Sequence, residues 1–199
     1  MDPRVLGEKY DKIAQWWNDR HINSSYGVEQ FEKAVSYASE GGTALDVGCG
    51  AGGRFVRILQ SKGYKITGLD VSEEMVRLAR VNHPKENFIH QDICSWETSK
   101  KFNFIVAWDS IFHLPFDMHK PVVTKLCQLL DDDGVLIYTF GDGTGGGTSE
   151  WRGDNFYHST IGIIENVQIL MDNGLSLMHL ELDQYPETHV YAVAKKRLR

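Results

Sequence analysis

The stretch LDVGCGAGG, residues 45–53, contains three glycines in the spacing G-x-G-x-x-G, at Gly48, Gly50 and Gly53. This spacing is typical of the turn between a buried strand and a helix, where backbone N–H groups face a bound dinucleotide. An acid, Asp70, follows twenty residues after Gly50, about where such a site holds a ribose hydroxyl. The stretch therefore predicts a binding site for a cofactor that contains adenosine.

Strand-like and helical patterns alternate along the chain after residue 42. Apolar, β-branched runs occur at residues 43–47, 65–70, 87–92, 102–109 and 135–140. Such alternation predicts a mostly parallel sheet covered by helices on both faces. Two final strands, near residues 175–182 and 190–196, are joined by a short polar segment, which makes them an antiparallel pair at one edge. The predicted fold class is α/β: a single Rossmann-like, doubly wound domain over residues 1–199.

Composition is that of an ordinary globular protein. The chain has 199 residues, 42% hydrophobic and 24% charged, enough to bury a core without disulfides or metals. Its three cysteines, Cys49, Cys94 and Cys127, form no C-x-x-C pair, so no metal site is predicted.

A net charge of −6 argues against nucleic acid as a partner. The charged N-terminus and the lack of a long apolar run predict a cytoplasmic protein without a membrane segment. We expect a monomer or a homodimer.

Asp46 bears on which adenosine cofactor is bound. It lies two residues before Gly48, near the end of the predicted strand. A carboxylate there would repel the pyrophosphate of NAD(P), but it suits S-adenosylmethionine, which carries an ammonium and a sulfonium and no phosphate. Asp46 therefore favours S-adenosylmethionine over the alternative, an NAD(P)-dependent reductase. Taken alone, Asp46 could equally cap the turn.

Four segments, in order, resemble the motifs of class I S-adenosylmethionine-dependent methyltransferases of the small-molecule type. LDVGCGAGG resembles the glycine motif, GLDVSEEMVRLAR (residues 68–80) the second motif and HQDICSW (residues 90–96) the third. VAWDSIFHL, residues 106–114, resembles the segment that follows the fourth strand and flanks the methyl group. The resemblance covers residues 10–196. It implies S-adenosyl-L-methionine as the cofactor and S-adenosyl-L-homocysteine as the product.

The resemblance also implies a role for each matched position. An acid at the end of the second strand binds both ribose hydroxyls, and an acid in the third motif approaches the adenine amino group. The implied cofactor contacts are Asp46, Gly48, Cys49, Gly50, Asp70, Val71, Met75, Asp92, Ile93 and Trp108.

The N-terminal segment, residues 1–40, is predicted to be mainly helical. Its EKYDKIAQWWNDR run resembles the helix that many small-molecule members lay over the cofactor. In that interpretation Tyr10 and Trp17, with Trp16, cover the methionine end, where aromatic faces suit a sulfonium cation. The alternative is that these rings only dock the helix on the domain.

Candidate catalytic residues follow the fourth and fifth predicted strands. Methyl transfer from a sulfonium needs a base only when the acceptor must lose a proton. His113, Asp109 and His158 are the candidates, and Tyr157 is a further polar group beside them. His113 could instead be a structural histidine. Asp109 and His113 could also belong to a divalent-metal site, but the sequence shows no further cluster of ligands.

The glycine-rich stretch at residues 141–160 is predicted to be a loop at the acceptor site. It carries Trp151 and Phe156 but no P-loop ending. The segment after the fourth strand lacks the Asn/Asp-Pro-Pro-Tyr signature of the methyltransferases that act on DNA bases or glutamine. We therefore expect a small-molecule acceptor. A non-catalytic protein that binds S-adenosylmethionine or S-adenosylhomocysteine on the same fold is the main alternative.

Overall fold

A computed structural model describes residues 2–197, so the ends of the predicted domain at residues 1, 198 and 199 lie outside the described part. The α-helices are α1 (Pro3–His21), α2 (Val28–Val35), α3 (Arg54–Ser61), α4 (Glu73–Asn82), α5 (His119–Leu129) and α6 (Gly162–Asp172). The strands are β1 (Gly42–Val47), β2 (Tyr64–Asp70), β3 (Asn87–His90), β4 (Phe102–Ala107), β5 (Leu130–Gly141), β6 (Thr144–Trp151), β7 (Asp154–Ile161), β8 (Leu175–Leu182) and β9 (His189–Lys196).

Seven strands form one sheet in the order β3-β2-β1-β4-β5-β9-β8. The first five in this order run parallel, whereas β9 is antiparallel to both β5 and β8. The predicted mostly parallel sheet with an antiparallel pair at one edge is confirmed. The strand order reverses between β1 and β4, and this reversal opens a crevice at their carboxyl ends, where α/β sheets bind ligands.

An apolar layer covers each face of the sheet. Leu45 and Ile105 belong to one layer, Ala44 and Phe104 belong to the other, and all four are fully buried. Strands that are buried on both faces need helices on both faces, which is what the alternating pattern predicted. Among residues 2–197, no helix is long and apolar enough to cross a membrane.

Residues 141–160 form a β-hairpin for most of their length, so the prediction of a loop is wrong. β6 and β7 pair antiparallel from Thr144–Ile161 to Trp151–Asp154. The turn residues Arg152 and Gly153 have φ of 51° and 78°, both positive, as a type I′ turn requires. Arg-Gly is not one of the dipeptides that mark this turn, and consecutive glycines weaken strand propensity, so local sequence favoured a loop.

The N-terminal segment forms α1 and α2, and α1 lies against the start of α4. The Asp11 carboxylate accepts hydrogen bonds from the Ser72 hydroxyl at 2.5 Å and from the Glu74 N–H at 3.0 Å. Asp11 therefore ties α1 to the turn that directly follows Asp70. The helical prediction is confirmed, whereas a lid function for this segment stays a prediction.

Gly7 allows α1 to approach this turn closely. A Cβ atom at Gly7 would lie 2.1 Å from the Val71 carbonyl oxygen, which is backbone and cannot rotate away. We expect Gly7→Ala to lower the free energy of unfolding by about 2 kcal/mol, because overpacking forces the helix outward. Urea denaturation and the rate of proteolysis within α1 measure the effect. Glu8→Ala, an exposed neighbour, is the control; equal behaviour of the two variants would contradict the close approach.

Candidate active site

The glycine turn connects β1 to β2 through its backbone. Gly48 and Cys49 both donate to the Leu69 carbonyl oxygen, at 2.8 and 3.0 Å. Gly48 has a φ of 72°, and a Cβ atom there would lie 2.2 Å from the Ser110 Cβ, so glycine is required at this position. The turn thus brings the end of β1 against the segment that follows β4.

The turn also orients the Asp70 carboxylate. Its Oδ2 accepts from the Gly50 N–H at 2.8 Å and its Oδ1 from the Ser72 N–H at 2.9 Å. Burial raises the pKa of Asp70 above its ordinary value, although these two hydrogen bonds oppose the shift. A carboxylate fixed in this way retains acceptor capacity for the paired hydroxyls of a ribose.

Asp46 lies close by, at the end of β1. Burial raises the pKa of Asp46 to about 7, the Asp70 charge adds to the shift, and the Arg54 charge opposes it. A cationic ligand group beside this carboxyl group would stabilise its ionised form and pair with it. The geometry agrees with the interpretation of Asp46 as a site for positive charge.

A cavity of about 220 Å³ lies at these strand ends. All twelve residues predicted to contact the cofactor line it: Tyr10, Trp17, Asp46, Gly48, Cys49, Gly50, Asp70, Val71, Met75, Asp92, Ile93 and Trp108. Arg54 and Ser110, which the sequence did not single out, line it as well. Trp16 points elsewhere and packs edge-on against Trp151 at 5.7 Å.

Two buried polar atoms in the walls of this cavity have no hydrogen-bond partner within the described residues. They are the Trp108 Nε1 and the Ser110 Oγ. Buried polar groups are normally paired, so these two atoms are exceptions at the edge of the cavity. The Asp70 and Asp46 carboxylates, which line the cavity, fit a ligand that has both hydroxyl and cationic groups.

A second cavity, of about 590 Å³, adjoins the first. Five residues line both cavities: Tyr10, Trp17, Tyr26, Asp109 and His113. The β6–β7 hairpin contributes to the lining of the second cavity, through Trp151, Phe156 and His158 among others. The shared residues therefore mark a junction at which two bound molecules would meet.

His113 is buried at this junction and both of its ring nitrogens are engaged. Nδ1 lies 2.7 Å from the Tyr157 carbonyl oxygen, and Nε2 lies 2.8 Å from the Tyr10 hydroxyl. Burial lowers the pKa of His113 to about 4, so the ring is neutral at physiological pH. Because a carbonyl only accepts, Nδ1 carries the proton and Nε2 accepts from the Tyr10 hydroxyl. The contact joins α1 to the segment after β4.

Asp109, the second candidate, forms a cluster that the sequence did not reveal. Its Oδ1 lies 2.8 Å from the His189 Nε2, and the His189 Nδ1 lies 2.5 Å from the Asp183 Oδ1. Burial disfavours charge on His189, but the hydrogen bonds to both carboxylates outweigh it and raise the pKa of His189. The Asp109 N–H donates to the Thr139 hydroxyl at 2.8 Å, which anchors its left-handed backbone, φ 49°.

Neither of the remaining candidates lines both cavities. His158 is exposed on β7 and lines only the second cavity. Tyr157 contributes its backbone carbonyl to His113 rather than its hydroxyl. Among residues 2–197, no group of three or more His, Cys, Asp or Glu side chains has an arrangement that could hold a metal ion.

Burial of His113 predicts a pH-dependent stability. The folded protein holds this ring with a pKa of about 4 against 6.5 when unfolded, so stability is lost as pH falls from 6.5 through 4. When the pH is lowered from 7.5 to 5, the free energy of unfolding of the wild type should fall by about 2 kcal/mol more than that of His113→Gln. Urea titrations of both proteins at the two pH values measure this difference. Equal changes in the two proteins would show that His113 is protonated as readily in the fold as outside it.

Comparison with known proteins assigns the chain to a family. The family model described as a methyltransferase domain matches residues 19–165, and the chain belongs to that family. The chain is 29% identical over 151 residues to the ubiquinone biosynthesis O-methyltransferase of Coxiella burnetii, covering 70% of this chain and 62% of that one. The chain spans 56% to 62% of the length of the first curated relatives it matches.

Two solved structures show the same fold over nearly the whole chain. Magnesium protoporphyrin IX methyltransferase from Synechocystis PCC 6803 has a TM-score of 0.72 at 18% identity, covering 98% of each chain. The 1,6-didemethyltoxoflavin-N1-methyltransferase of Burkholderia thailandensis has a TM-score of 0.74 at 14% identity, covering 98% of this chain and 88% of that one. The first contains S-adenosylmethionine, and the second contains S-adenosylhomocysteine and 1,6-didemethyltoxoflavin. The Rossmann-like methyltransferase fold predicted from the sequence is confirmed.

Proposed function

We propose that the protein transfers a methyl group from S-adenosylmethionine to a small molecule. The observation that carries the proposal is the junction of the two cavities, where Tyr10 and His113 line both. The family supplies the reaction class, since its relatives are named as methyltransferases. The volume of the second cavity, about 590 Å³, and the net charge of −6 favour a small acceptor over nucleic acid.

The first cavity would hold the cofactor along its length. Asp70 would bind the ribose hydroxyls, and Asp92 with the Ile93 backbone would face the adenine. Asp46 and Arg54 line the same cavity with opposite charges, which suits the ammonium and carboxylate of an amino-acid end. NAD(P) fits these residues poorly, because the Asp46 carboxylate would lie close to its pyrophosphate and repel it.

S-adenosylmethionine supplies a methyl group on a sulfonium sulfur, which a nucleophile displaces with a neutral thioether as the leaving group. The protein therefore needs no general acid to protonate the leaving group. Its main contributions are to orient the acceptor and to exclude water. The Tyr10 hydroxyl donates to the His113 Nε2, so its oxygen lone pairs are free to accept a hydrogen bond from an acceptor O–H or N–H.

The same pair can take the acceptor proton. As an acceptor hydroxyl gains a methyl group, its proton becomes far more acidic than an imidazolium. The proton moves to the Tyr10 oxygen while the Tyr10 proton moves to the His113 Nε2. Even with a pKa of about 4, His113 is basic enough for this late transfer. We therefore assign His113 as the base and Tyr10 as its relay, with Asp109 and His158 shaping the acceptor cavity.

Calorimetric titration with S-adenosylhomocysteine, S-adenosylmethionine and NADH tests the cofactor assignment. Binding of the first two and not of NADH supports the proposal, whereas binding of NADH alone would establish a reductase site. A methyl donor that binds but is never consumed in an acceptor screen would favour the alternative, a non-catalytic binding protein. A cytoplasmic location and a monomer or homodimer remain part of the proposal.

A further inference from the structure

We propose that the second cavity selects a flat aromatic acceptor that carries a positively charged amine and no carboxylate or phosphate. The inference rests on the proposed function, because it names the acceptor class of that reaction. It is carried by the charges, the rings and the arrangement of the groups that line this cavity.

The formal charges that face the second cavity are mainly negative. Among the described residues that line it there are two carboxylates, Asp109 and Glu187, and no lysine or arginine. Asp109 belongs to the cluster with His189 and Asp183, whose net charge is negative even when His189 is protonated. His113 adds no charge, because its ring is neutral at physiological pH. His158 and His189 also line the cavity, but both ring nitrogens of His189 already contact carboxylates. An anionic ligand group would therefore meet two carboxylates and no lysine or arginine, at a cost in binding free energy.

The cations near the cavity are engaged outside it. Lys9 lies 3.0 Å from the Asp154 carboxylate at the hairpin tip. Arg152 stacks on the outer Trp16 ring, 3.7 Å from its centre. Arg54 lines the first cavity, where the charges of Asp109 and Asp46 both act on its guanidinium, that of Asp109 more strongly. None of the three lines the second cavity, so they do not supply the partner that a carboxylate or phosphate would need.

Several aromatic rings line the second cavity, beside the polar hairpin residues Ser149, His158, Ser159 and Thr160. Phe156 packs edge-on against Tyr10 at 5.3 Å and against Trp151 at 5.5 Å, and Trp17 and Phe112 complete the wall. Such rings bind flat aromatic ligands well, and their faces attract cations. An aliphatic ligand would gain burial from this wall but none of the ring-to-ring attraction.

Another part of the lining is polar and acidic. Thr139 lies on β5, His189 begins β9, and Gln184, Glu187 and Thr188 lie in the segment between β8 and β9. The lining therefore offers both aromatic rings and carboxylates. A molecule that combines an aromatic ring with an ammonium matches both kinds of group at once.

Matched probe pairs test the charge preference directly. Tryptamine and indole-3-propionate share a ring and differ in the sign of the side-chain charge, as do tyramine and 3-(4-hydroxyphenyl)propionate. With protein saturated by S-adenosylhomocysteine, we expect each amine to bind at least about tenfold more tightly than its acid partner, as measured by calorimetry. Glu187→Lys should reduce this ratio to below about threefold, because it replaces a lining carboxylate with a cation.

Glu150→Lys is the matched control, since Glu150 is equally exposed but does not line the cavity. Its ratio should equal that of the wild type. Equal binding of amine and acid, preference for the acid, or no binding by any of the four probes would overturn the inference. Failure of S-adenosylhomocysteine to bind would instead overturn the proposed function, so the two failures are distinguishable.

Discussion

Asp70→Asn is expected to weaken the binding of S-adenosylhomocysteine by at least about 100-fold, equivalent to about 2.7 kcal/mol. The wild-type carboxylate accepts from two backbone N–H groups and has lone pairs left for ribose hydroxyls. Asparagine presents an NH₂ group in place of one oxygen, which would face a backbone donor and remove an acceptor for the ribose. Hydrogen bonds to a charged group are stronger than those between neutral groups, so the expected loss of binding free energy is large.

Calorimetry at a fixed pH measures this loss, and circular dichroism with thermal unfolding verifies that the variant is folded. Asp117→Asn is the control, because Asp117 is exposed and lies outside both cavities. Should Asp70→Asn not fold, Asp92→Asn addresses the adenine end of the same cavity and should weaken binding about tenfold. Wild-type affinity in a folded Asp70→Asn protein would show that Asp70 serves the turn alone.

The cofactor site could be read from the sequence because its parts are local. Each motif combines a strand end with the turn that follows, and parallel strands place all their carboxyl ends at one edge of the sheet. Gly48, Asp70 and Asp92 therefore converge although they lie far apart in the chain. β1 is a central strand whose last four residues are all buried, and the glycines directly after it mark its end clearly.

The acceptor site could be predicted only in part, because it depends on distant contacts. The sequence singled out Tyr10 and His113 separately, but it could not show that they are 2.8 Å apart. It missed His189, which reaches Asp109 only because β9 is inserted beside β5 in antiparallel register. It also missed the hairpin, because Arg152 and Gly153 form the turn without one of its usual dipeptides. Local propensity carries no information on such pairings.

His113→Gln is expected to lower kcat by about 10²–10⁴-fold with an acceptor that loses a proton on methylation. Glutamine can still donate from its NH₂ group to the Tyr157 carbonyl, but it offers no basic nitrogen to the Tyr10 hydroxyl. The proton then has no route from the acceptor. Tyr10→Phe removes the relay and should lower kcat in a similar way while leaving the His113 ring in place.

Steady-state kinetics with a radiolabelled methyl donor and the best acceptor from a screen of phenols and aromatic amines measure both variants. KM for the methyl donor should change far less than kcat, because the Asp70 contacts remain intact. For an acceptor that reacts as an unprotonated amine, the same substitutions should have small effects, since the attacking lone pair needs no deprotonation. A loss of similar size with both kinds of acceptor would mean that the pair orients the acceptor, and unchanged turnover with a phenol would exclude His113 as the base.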